Sequence, residues 1–395
     1  MTEGETPTRA AGLARLEAFA PRMGRAYAAN RNADLGPGAN VHVSGLSPWI
    51  RRRLVTEAEA VRAALETHGP RGADKFVQEV LWRTYWKGWL EMRPSVWTEF
   101  EAARDRLDAD DPAVRAAADG RTGISGFDDW ARELAGTGWL HNHARMWFAS
   151  IWIFTLGLPW ELGADLFLRR LTDADPASNT LSWRWVAGLQ TPGKTYLATA
   201  ENIARFTEGR FRPKGLAREA RPVAGPPPPA ARPLPPAWRE TPDGPHLLLI
   251  TGEDLTPEQL IGPWEIAGVV SVAEPGGLGR GGPAAAFSDG ALADAERRAE
   301  ARYGQPVRRL QGLTADALVA AAQAAGAGGV VTAYSPAGPT AAALALARPG
   351  VEAAGLELIE VRRPWDAALW PLATRGFFPF RERAPEALRT LGLAV

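Results

Sequence analysis

The chain contains no cysteine among its 395 residues. This absence excludes disulfides, thiolate metal ligands and cysteine-bound iron–sulfur clusters, and we assign no metal site. A surplus of one charge sign is missing as well, because 45 Lys and Arg residues balance 45 Asp and Glu residues. DNA-binding proteins usually carry a basic surplus, so a contact with nucleic acid has to depend on a local patch of positive charge.

Long apolar runs are also absent from the sequence. The longest one, residues 147–158, is too short to span a bilayer. The first ten residues lack the charged and apolar layout of a secretory signal. We therefore expect a cytoplasmic protein and, by default, a monomer. A chain of this length can form two domains with sizeable cores.

The most prominent feature that the sequence does have is a change of composition near its middle. Residues 213–243 hold ten prolines and no apolar periodicity, which is typical of an extended linker. Residues 1–212 hold twelve of the sixteen tryptophans, and we predict that they form an all-helical domain. Apolar residues recur there at helical spacing in the segments 10–31, 54–67, 73–91, 127–136, 139–157 and 161–171.

The sequence after the linker alternates short apolar runs with alanine-rich segments. This alternation predicts a doubly wound parallel sheet with helices on both faces, in an α/β domain over residues 244–395. The glycine-rich stretch 276–282 does not connect a strand directly to a helix, so we interpret it as a loop and not as a phosphate-binding turn. The expected strands and then helices are 246–251, 268–273, 307–311, 329–333, 356–361, 291–303, 315–326 and 339–348.

Candidate functional residues are concentrated in the segment 138–185. Asn142 and Arg145 are placed on one helical face by their spacing, and Asp173 and Asp175 follow a second helical segment. An arginine that faces a carboxylate in a buried pocket forms a charge-assisted pair, which can stabilise an anionic flavin ring. The spacing alone leaves open the alternative of a purely structural ion pair between two helices.

The order of these residues resembles that of the DNA photolyase and cryptochrome family over most of residues 12–212. The resemblance implies a helical FAD-binding domain. In that family an α/β antenna domain precedes the helical domain, whereas here the α/β part follows it, so we infer a circular permutation across the linker. The tail 365–380 is similar to the last stretch of the antenna domain. The residues that carry the helical resemblance are Gly138-Trp139-Leu140-His141-Asn142-x-x-Arg145-Met146, Asp173-Ala174-Asp175-x-x-x-Asn179 and Trp183.

The resemblance also implies an FAD site. The loop 43–47 is similar to the loop that holds the FAD phosphates, although Val43 and Gly45 stand where the family has Thr and Arg. Asn179 is implied to face flavin N5. The cofactor-binding residues implied by the resemblance are Tyr27, Ser44, Leu46, Ser47, Arg83, Asn142, Arg145, Asp173, Asp175 and Asn179.

Two tryptophans correspond to members of the chain that photoreduces the flavin in this family. Trp183 and Trp160 take the proximal and middle places, and with Asn179 they form the implied catalytic set. Leu107 stands where the third tryptophan is usual, so the outer member has to come from Trp97, Trp147 or Trp152. For each tryptophan, packing in the core remains an alternative role.

The function implied by the resemblance is light-dependent DNA repair, in which reduced FAD passes an electron to a cyclobutane pyrimidine dimer. Six-four enzymes carry histidines at positions 142 and 146, which this chain lacks, and the dimer has to flip out of the duplex to reach the flavin. The residues implied to meet it are Glu79, Trp82, His143, Met146 and Trp185.

A cryptochrome-like photosensor that signals to a partner protein is the alternative function. The nearly neutral helical part and His143, which replaces an arginine of the repair enzymes, favour it. A second chromophore in the α/β domain is left open, because the acidic stretch 251–254 replaces the expected basic motif. The arginines at 51–53, 169–170, 205, 210 and 212 are candidates for a phosphate-binding rim, although charge runs are more often simply solvated surface.

Overall fold

A computed structural model of the chain describes residues 6–236, 238, 242–262, 264–279 and 281–395. The described part up to residue 212 is helical, as the periodicity predicted, and we call it the helical half. Its helices are α1 (Arg9–Phe19), α2 (Arg25–Asn30), α3 (Ser47–Arg51), α4 (Glu57–Glu91), α5 (Ser95–Arg104), α6 (Pro112–Ala118), α7 (Phe127–Thr137), α8 (Asn142–Ser150), α9 (Trp160–Arg170), α10 (Pro176–Val186) and α11 (Ala200–Phe206).

The longest helix of the helical half, α4, is bent near its middle. It begins with a capping box, in which the Thr56 hydroxyl accepts from the Glu59 N–H and the Glu59 carboxylate accepts from the Thr56 N–H. Gly69 then adopts a φ of +67°, and Pro70 follows it. Proline has no N–H for the helix ladder and only glycine adopts a positive φ freely. The two helices predicted at 54–67 and 73–91 are therefore joined around this bend.

The predicted helix at 10–31 is interrupted in the structure. A short 3-10 turn, Ala20–Arg22, separates α1 from α2, and it contains Pro21. Gly24 then caps α2, where an added Cβ would lie 2.7 Å from Nδ1 of His68. The chain thus turns where α1 meets α4. The apolar periodicity of residues 10–31 continues across this turn, so the periodicity alone could not reveal the break in the helix. The helix predicted at 139–157 starts later, at α8, and ends in a π turn, Ile151–Thr155.

The second part of the chain, residues 244–395, is called the α/β half. Its five described strands are all parallel, in the order β3-β2-β1-β4-β5, which confirms the predicted doubly wound sheet. The strands are β1 (His246–Ile250), β2 (Ile266–Val272), β3 (Val307–Leu310), β4 (Gly329–Ala333) and β5 (Glu357–Val361). The helices are α12 (Pro283–Tyr303), α13 (Ala315–Ala325), α14 (Pro339–Ala353), α15 (Pro364–Leu369) and α16 (Phe377–Thr390).

The two faces of this sheet are covered by different partners. Leu247 and Leu249 point to a small core with Leu318 of α13 and Leu344 of α14. The alternate side chains, such as Leu248 and Ile250, belong to a core that continues into the helical half. Successive strand residues point to opposite faces, so β1 contributes to both cores. This face of the sheet therefore shares one core with the helical half and with α12, α15 and α16.

A buried ion-pair network joins the two halves, and it corrects one prediction. Arg51, Arg52 and Arg53 are 1–3% exposed, so the expectation that they form a phosphate-binding rim is wrong. Arg51 Nη2 lies 2.8 Å from Glu253 Oε1 and 2.6 Å from Glu274 Oε1. A run of arginines is usually solvated, but here the carboxylates that follow β1 and β2 compensate the charge.

Arg53 completes the network on the side of α15. Its guanidinium lies 2.5 Å from Asp366 and 3.5 Å from Asp254. Asp254 also accepts two hydrogen bonds from Arg363. The acidic stretch 251–254, which replaces the basic motif expected after the first strand, is thus the counterpart of the arginine run 51–53. Two further members of the expected rim are also paired, Arg169 with Asp165 and Arg210 with Asp34.

The described residues of the predicted linker, 213–243, form no helix or strand. They are nevertheless held at several points along the surface. Arg93 Nε donates to the Pro229 carbonyl at 2.9 Å, and Arg362 Nη2 donates to the Pro235 carbonyl at 3.0 Å. Contacts to both halves therefore fix the path of this segment.

Across the described ranges, no helix combines the length and apolar character that crossing a membrane requires.

Candidate functional site

An ion pair between α8 and the segment before α10 lies at the centre of the candidate site. Nη1 and Nη2 of Arg145 donate to Oδ1 and Oδ2 of Asp173 at 3.1 and 2.9 Å. The structure thus contains the pair that the spacing suggested, in the bidentate form. Burial disfavours the charged carboxylate, but Arg145 and a hydrogen bond from Ser47 hold the pKa of Asp173 below its ordinary value.

A second carboxylate anchors the start of α10. Asp175 is the N-cap of this helix and accepts from the Ser178 N–H at 2.8 Å. Arg83 Nη2 and Lys87 Nζ, both on α4, lie 3.1 and 3.0 Å from its Oδ2. Burial works against its charge, but Lys87, Arg83 and then Arg51 hold the pKa of Asp175 well below its usual range. Arg83, which the resemblance places near the flavin, is therefore positioned by Asp175.

Asn179 lies one turn after this cap, on the buried side of α10. Its amide nitrogen donates to the Ala164 carbonyl of α9 at 2.9 Å. This bond fixes the orientation of the amide and leaves its oxygen and its second N–H for other partners. Trp183 follows at the next turn, where its ring packs edge-on against Phe167 and Trp152 at centroid distances of 5.2 and 6.3 Å.

The predicted phosphate loop is organised around Gly45, which has a φ of +60°. The Ser44 hydroxyl accepts from the Leu46 N–H at 3.3 Å, and the Ser44 carbonyl accepts from Arg15 Nε at 2.6 Å. A Cβ added at Gly45 would overlap the guanidinium of Arg15. The arginine of α1 therefore occupies the space that a side chain at position 45 would need. The predicted partner Tyr27 is buried against Phe19 and Phe76.

A cavity of about 640 Å³ opens beside this loop. Arg15, Ser44, Trp49 and Glu133 line it together with Phe287 of the α/β half. Burial and, to a smaller extent, the nearby Asp34 together raise the pKa of the Glu133 carboxyl to about 7. Sequence reasoning missed Arg15 and Glu133, because neither belongs to a motif. The one signal for Arg15 was Gly45, which stands where the related family has an arginine. Its positive charge then has to come from another part of the chain.

The residues predicted to meet a substrate are only partly brought together. Glu79 and Trp82 share one face of α4, and Glu79 pairs with Arg31 at 3.3 Å. The ring of Trp82 stacks on Phe377 of α16, with centroids 3.6 Å apart and planes at 8°. Met146 Sδ lies 3.9 Å from the Asn142 amide nitrogen.

The other two residues of that set, Trp185 and His143, have partners inside the helical half. Trp185 stacks on Tyr196 with centroids 5.6 Å apart. The ring of His143 stacks between Trp147 and Phe206, and its Nδ1 is 2.8 Å from the Asn32 carbonyl. Burial lowers the pKa of His143. These contacts direct the imidazole into the packing of α8 and α11.

The tryptophans are distributed over two aromatic groups near α9 and α10. Trp160 faces Phe100 at 5.5 Å, and Trp97 lies on the same ring at 5.4 Å. Trp152 instead adjoins Trp183. A Cβ added at Gly163 would overlap Trp183, so glycine at this position permits the close approach of α9 and α10. The third candidate for the outer place in the tryptophan chain, Trp147, packs against Trp130 with ring centroids 5.4 Å apart. Leu107, which stands where the third tryptophan is usual, is half-buried.

Comparison with known proteins shows what the helical half is similar to. Residues 76–210 match the family described as the FAD binding domain of DNA photolyase. The helical half is therefore similar to this family over about a third of the chain. This match includes the ion pair Arg145–Asp173, Asp175, Asn179 and Trp183. It supports FAD as the cofactor of the site built above.

Three proteins of known name are similar to parts of this chain. A deoxyribodipyrimidine photo-lyase of Streptomyces griseus is 40% identical over 149 residues, which are 38% of this chain and 32% of the relative. One from Thermus thermophilus is 35% identical over 196 residues, 48% of this chain and 45% of the relative. The chain thus spans less than half the length of these curated relatives. A bacterial class III photolyase from Agrobacterium tumefaciens is 26% identical, with a TM-score of 0.44 over 51% of this chain and 43% of that one.

Proposed function

We propose that this protein is a light-dependent DNA-repair flavoprotein that splits cyclobutane pyrimidine dimers. The observation that carries the proposal is the bidentate Arg145–Asp173 pair, set beside the oriented amide of Asn179 in a photolyase-type FAD-binding domain. A half-buried arginine held by a buried carboxylate keeps a positive edge toward a neighbouring ring. Such an edge favours the anionic form of a reduced flavin.

The residues present fit FAD. The loop 43–47 leaves the Arg15 guanidinium directly over the glycine at position 45, so a cation is available where the family has an arginine side chain. Arginine groups suit phosphate oxygens because they donate two parallel hydrogen bonds. We propose that Arg15, Ser44, Leu46 and Ser47 hold the pyrophosphate. Tyr27, Arg83, Asn142, Asp173 and Asp175 would complete the cofactor site.

The remaining residues of the site are proposed to work around this cofactor. When bound, reduced FAD would supply the electron that blue light transfers to the dimer. Asn179 would accept or donate a hydrogen bond at flavin N5, and Trp183 with Trp160 would return an electron to the oxidised flavin. Glu79, Trp82, Met146 and Trp185 would exclude water from the flipped-out dimer and offer it apolar contact.

The α/β half is proposed to be an antenna-type domain, placed after the helical half by circular permutation. The domains would then be residues 1–212 and 244–395, joined by the linker 213–243. Ligands of doubly wound sheets bind at the switch point, outside the carboxyl ends of the central strands. The guanidinium of Arg51 reaches this edge of the sheet, where it meets Glu253 after β1 and Glu274 after β2. We therefore propose no second chromophore at this edge.

The experiment that tests the proposed function uses the purified full chain and an oligonucleotide with one thymine dimer. We expect a yellow protein that absorbs at roughly 450 nm, where oxidised flavins absorb. After chemical reduction, blue light should restore intact thymines, which chromatography of the digested DNA measures. A dark sample and an undamaged oligonucleotide are the controls. Normal photoreduction without any thymine return would contradict the repair function and support a photosensor.

A further inference from the structure

An exposed aromatic side chain lies at the edge of the predicted substrate residues. Phe378, in the first turn of α16, is 64% exposed. Its ring contacts Phe377 edge-on at 5.9 Å, and Phe377 in turn stacks on Trp82. A continuous row of rings thus leads from Trp82, on the helical half, to the solvent. An isolated exposed phenylalanine needs no explanation, but one that extends a buried stack toward a candidate site does.

The loop that presents Phe378 is held firmly by the helical half. Tyr85 Oη donates to the Arg375 carbonyl at 2.8 Å, and Arg93 Nη2 donates to the Thr374 carbonyl at 2.8 Å. The side chains of Arg375 and Phe378 remain exposed beyond these two anchors. A surface that is ordered before binding loses little conformational entropy when a partner arrives. This loop is therefore a prepared contact surface.

The charges around Phe378 indicate the chemistry of the partner. Arg375 precedes it by three residues and Arg383 follows it by five, and both are exposed; Glu382 is exposed next to Arg383, and Arg381 is paired with Asp74. An exposed aromatic ring with exposed guanidinium groups on the same segment matches a nucleic acid strand, since bases stack on the ring and phosphates meet the cations. Proteins that open a duplex insert apolar side chains of this kind between base steps.

We infer that the segment 374–379, which ends in the first turn of α16, is a DNA-contacting edge, in which Phe378 occupies the stack beside a flipped-out dimer and Arg375 binds a flanking phosphate. This inference rests on the proposed repair function and deepens it, because it assigns part of the DNA interface to the α/β half. The segment lies outside the stretch 76–210 that matches the photolyase FAD-binding domain. The partner is duplex DNA that contains the lesion.

The test measures the affinity of the full, FAD-loaded chain for a labelled duplex with one thymine dimer, by fluorescence anisotropy. Phe378→Ala should weaken binding about tenfold, the size of effect that a stacked aromatic ring has on a base. Phe378→Trp should retain the affinity. Leu346→Ala is the matched control, because Leu346 is another exposed apolar residue, 83% exposed on α14, and it should have no effect.

A second variant tests the phosphate contact. Arg375→Gln should weaken binding to damaged and undamaged duplexes alike, and it should reduce the slope of log affinity against log salt by about one. Retention of FAD and an unchanged circular dichroism spectrum establish that the variants are folded.

Two results would overturn the inference while leaving the repair function intact. In the first, Phe378→Ala binds the damaged duplex as the wild type does. In the second, Phe378→Ala changes only the sedimentation behaviour of the protein, which would make the patch a contact between two copies of the chain. A wild-type protein that binds FAD but no damaged duplex would contradict the proposed function itself, and the inference with it.

Discussion

Arg51 donates to both carboxylate oxygens of Glu253, at 3.0 and 2.8 Å, across the boundary between the two halves. Both side chains are shielded from solvent. Removing one partner of such a pair leaves the other charge buried without full compensation, which costs more than the pair itself contributes. The two halves are therefore expected to depend on each other for stability.

We predict that Glu253→Gln lowers the free energy of unfolding by about 3 kcal/mol, because Arg51 loses part of its compensation in a buried place. Urea unfolding followed by circular dichroism measures this change. Glu382→Gln removes an exposed carboxylate of α16 and should change the free energy by less than about 0.5 kcal/mol. Equal effects of the two substitutions would contradict the importance of the buried pair.

The position of Arg15 over Gly45 predicts that an arginine at position 45 can take over the role of Arg15 once Arg15 is removed. Arg15→Ala should weaken FAD binding about tenfold, since a charge-assisted hydrogen bond to phosphate is lost. Gly45→Arg alone should destabilise the protein, because its Cβ would overlap Arg15. In the Arg15→Ala background that overlap is relieved, and Gly45→Arg should recover much of the affinity, less the strain of a positive φ.

Titration with FAD, followed by quenching of the flavin fluorescence, gives the affinity of each of these three variants. Thermal unfolding without cofactor separates a loss of stability from a loss of binding. If Arg15→Ala bound FAD as tightly as the wild type, the guanidinium would have no part in holding the phosphates.

The aromatic group around Phe100 predicts the outer member of the tryptophan chain. Trp97→Phe should slow photoreduction of the bound flavin several-fold, as Trp160→Phe should, because phenylalanine is much harder to oxidise than tryptophan. Absorbance under steady blue light with an external reductant measures the rate. Trp264→Phe, in the α/β half, is the control and should not change it. A normal rate in Trp97→Phe together with a slow one in Trp152→Phe would place the outer step next to Trp183 instead.

The pKa of His141, which burial lowers to about 4, predicts a loss of stability in weak acid. Its Nε2 is 3.0 Å from the Arg31 carbonyl, and its Nδ1 accepts from the His143 N–H at 3.2 Å. These partners assign a neutral ring with the proton on Nε2, and protonation of Nδ1 would break the second bond.

The sign of this effect follows from proton linkage. Below pH 6.5 the unfolded chain takes up a proton at His141, whereas the folded chain does not until about pH 4, so stability falls between these values. We expect a loss of about 2 kcal/mol from pH 6.5 to pH 5. Urea unfolding at several pH values measures it. His141→Gln should flatten the profile in this window, leaving the smaller contribution of His143; an unchanged profile would contradict the assignment.

Local periodicity predicted the strands and the longer helices of the helical half, but it missed short helices such as α5, α6 and α11, and α12 begins at Pro283, eight residues before the predicted start. The strands were predicted to within about two residues of their ends, because buried parallel strands read as short apolar runs. The role of Arg51–Arg53 was predicted wrongly, since carboxylate partners such as Glu253 and Asp366 lie 202 and 313 residues further along the chain. A charge run is assigned to the surface unless such partners are known.

In the candidate site, too, local relationships could be predicted and contacts between distant parts of the chain could not. Spacing placed Arg145 and the two carboxylates Asp173 and Asp175 as candidates for an ion pair, and the family resemblance implied the choice of Asp173. The approach of Arg15 to Gly45 and of Phe377 to Trp82 could not be predicted. Each contact joins two elements that are far apart in the sequence. The way such elements pack against each other leaves no local pattern in the sequence.

The second segment of α4, beyond the bend at Gly69, serves both halves at once. One side carries Glu79, Trp82 and Arg83, while Gly88 lies so close to the α/β half that an added Cβ would be 2.8 Å from Cα of Trp370. Because one helix segment carries both sets of residues, a displacement of the α/β half against Gly88 would also displace Glu79, Trp82 and Arg83. The position of the α/β half therefore helps to set the width of the proposed cofactor site.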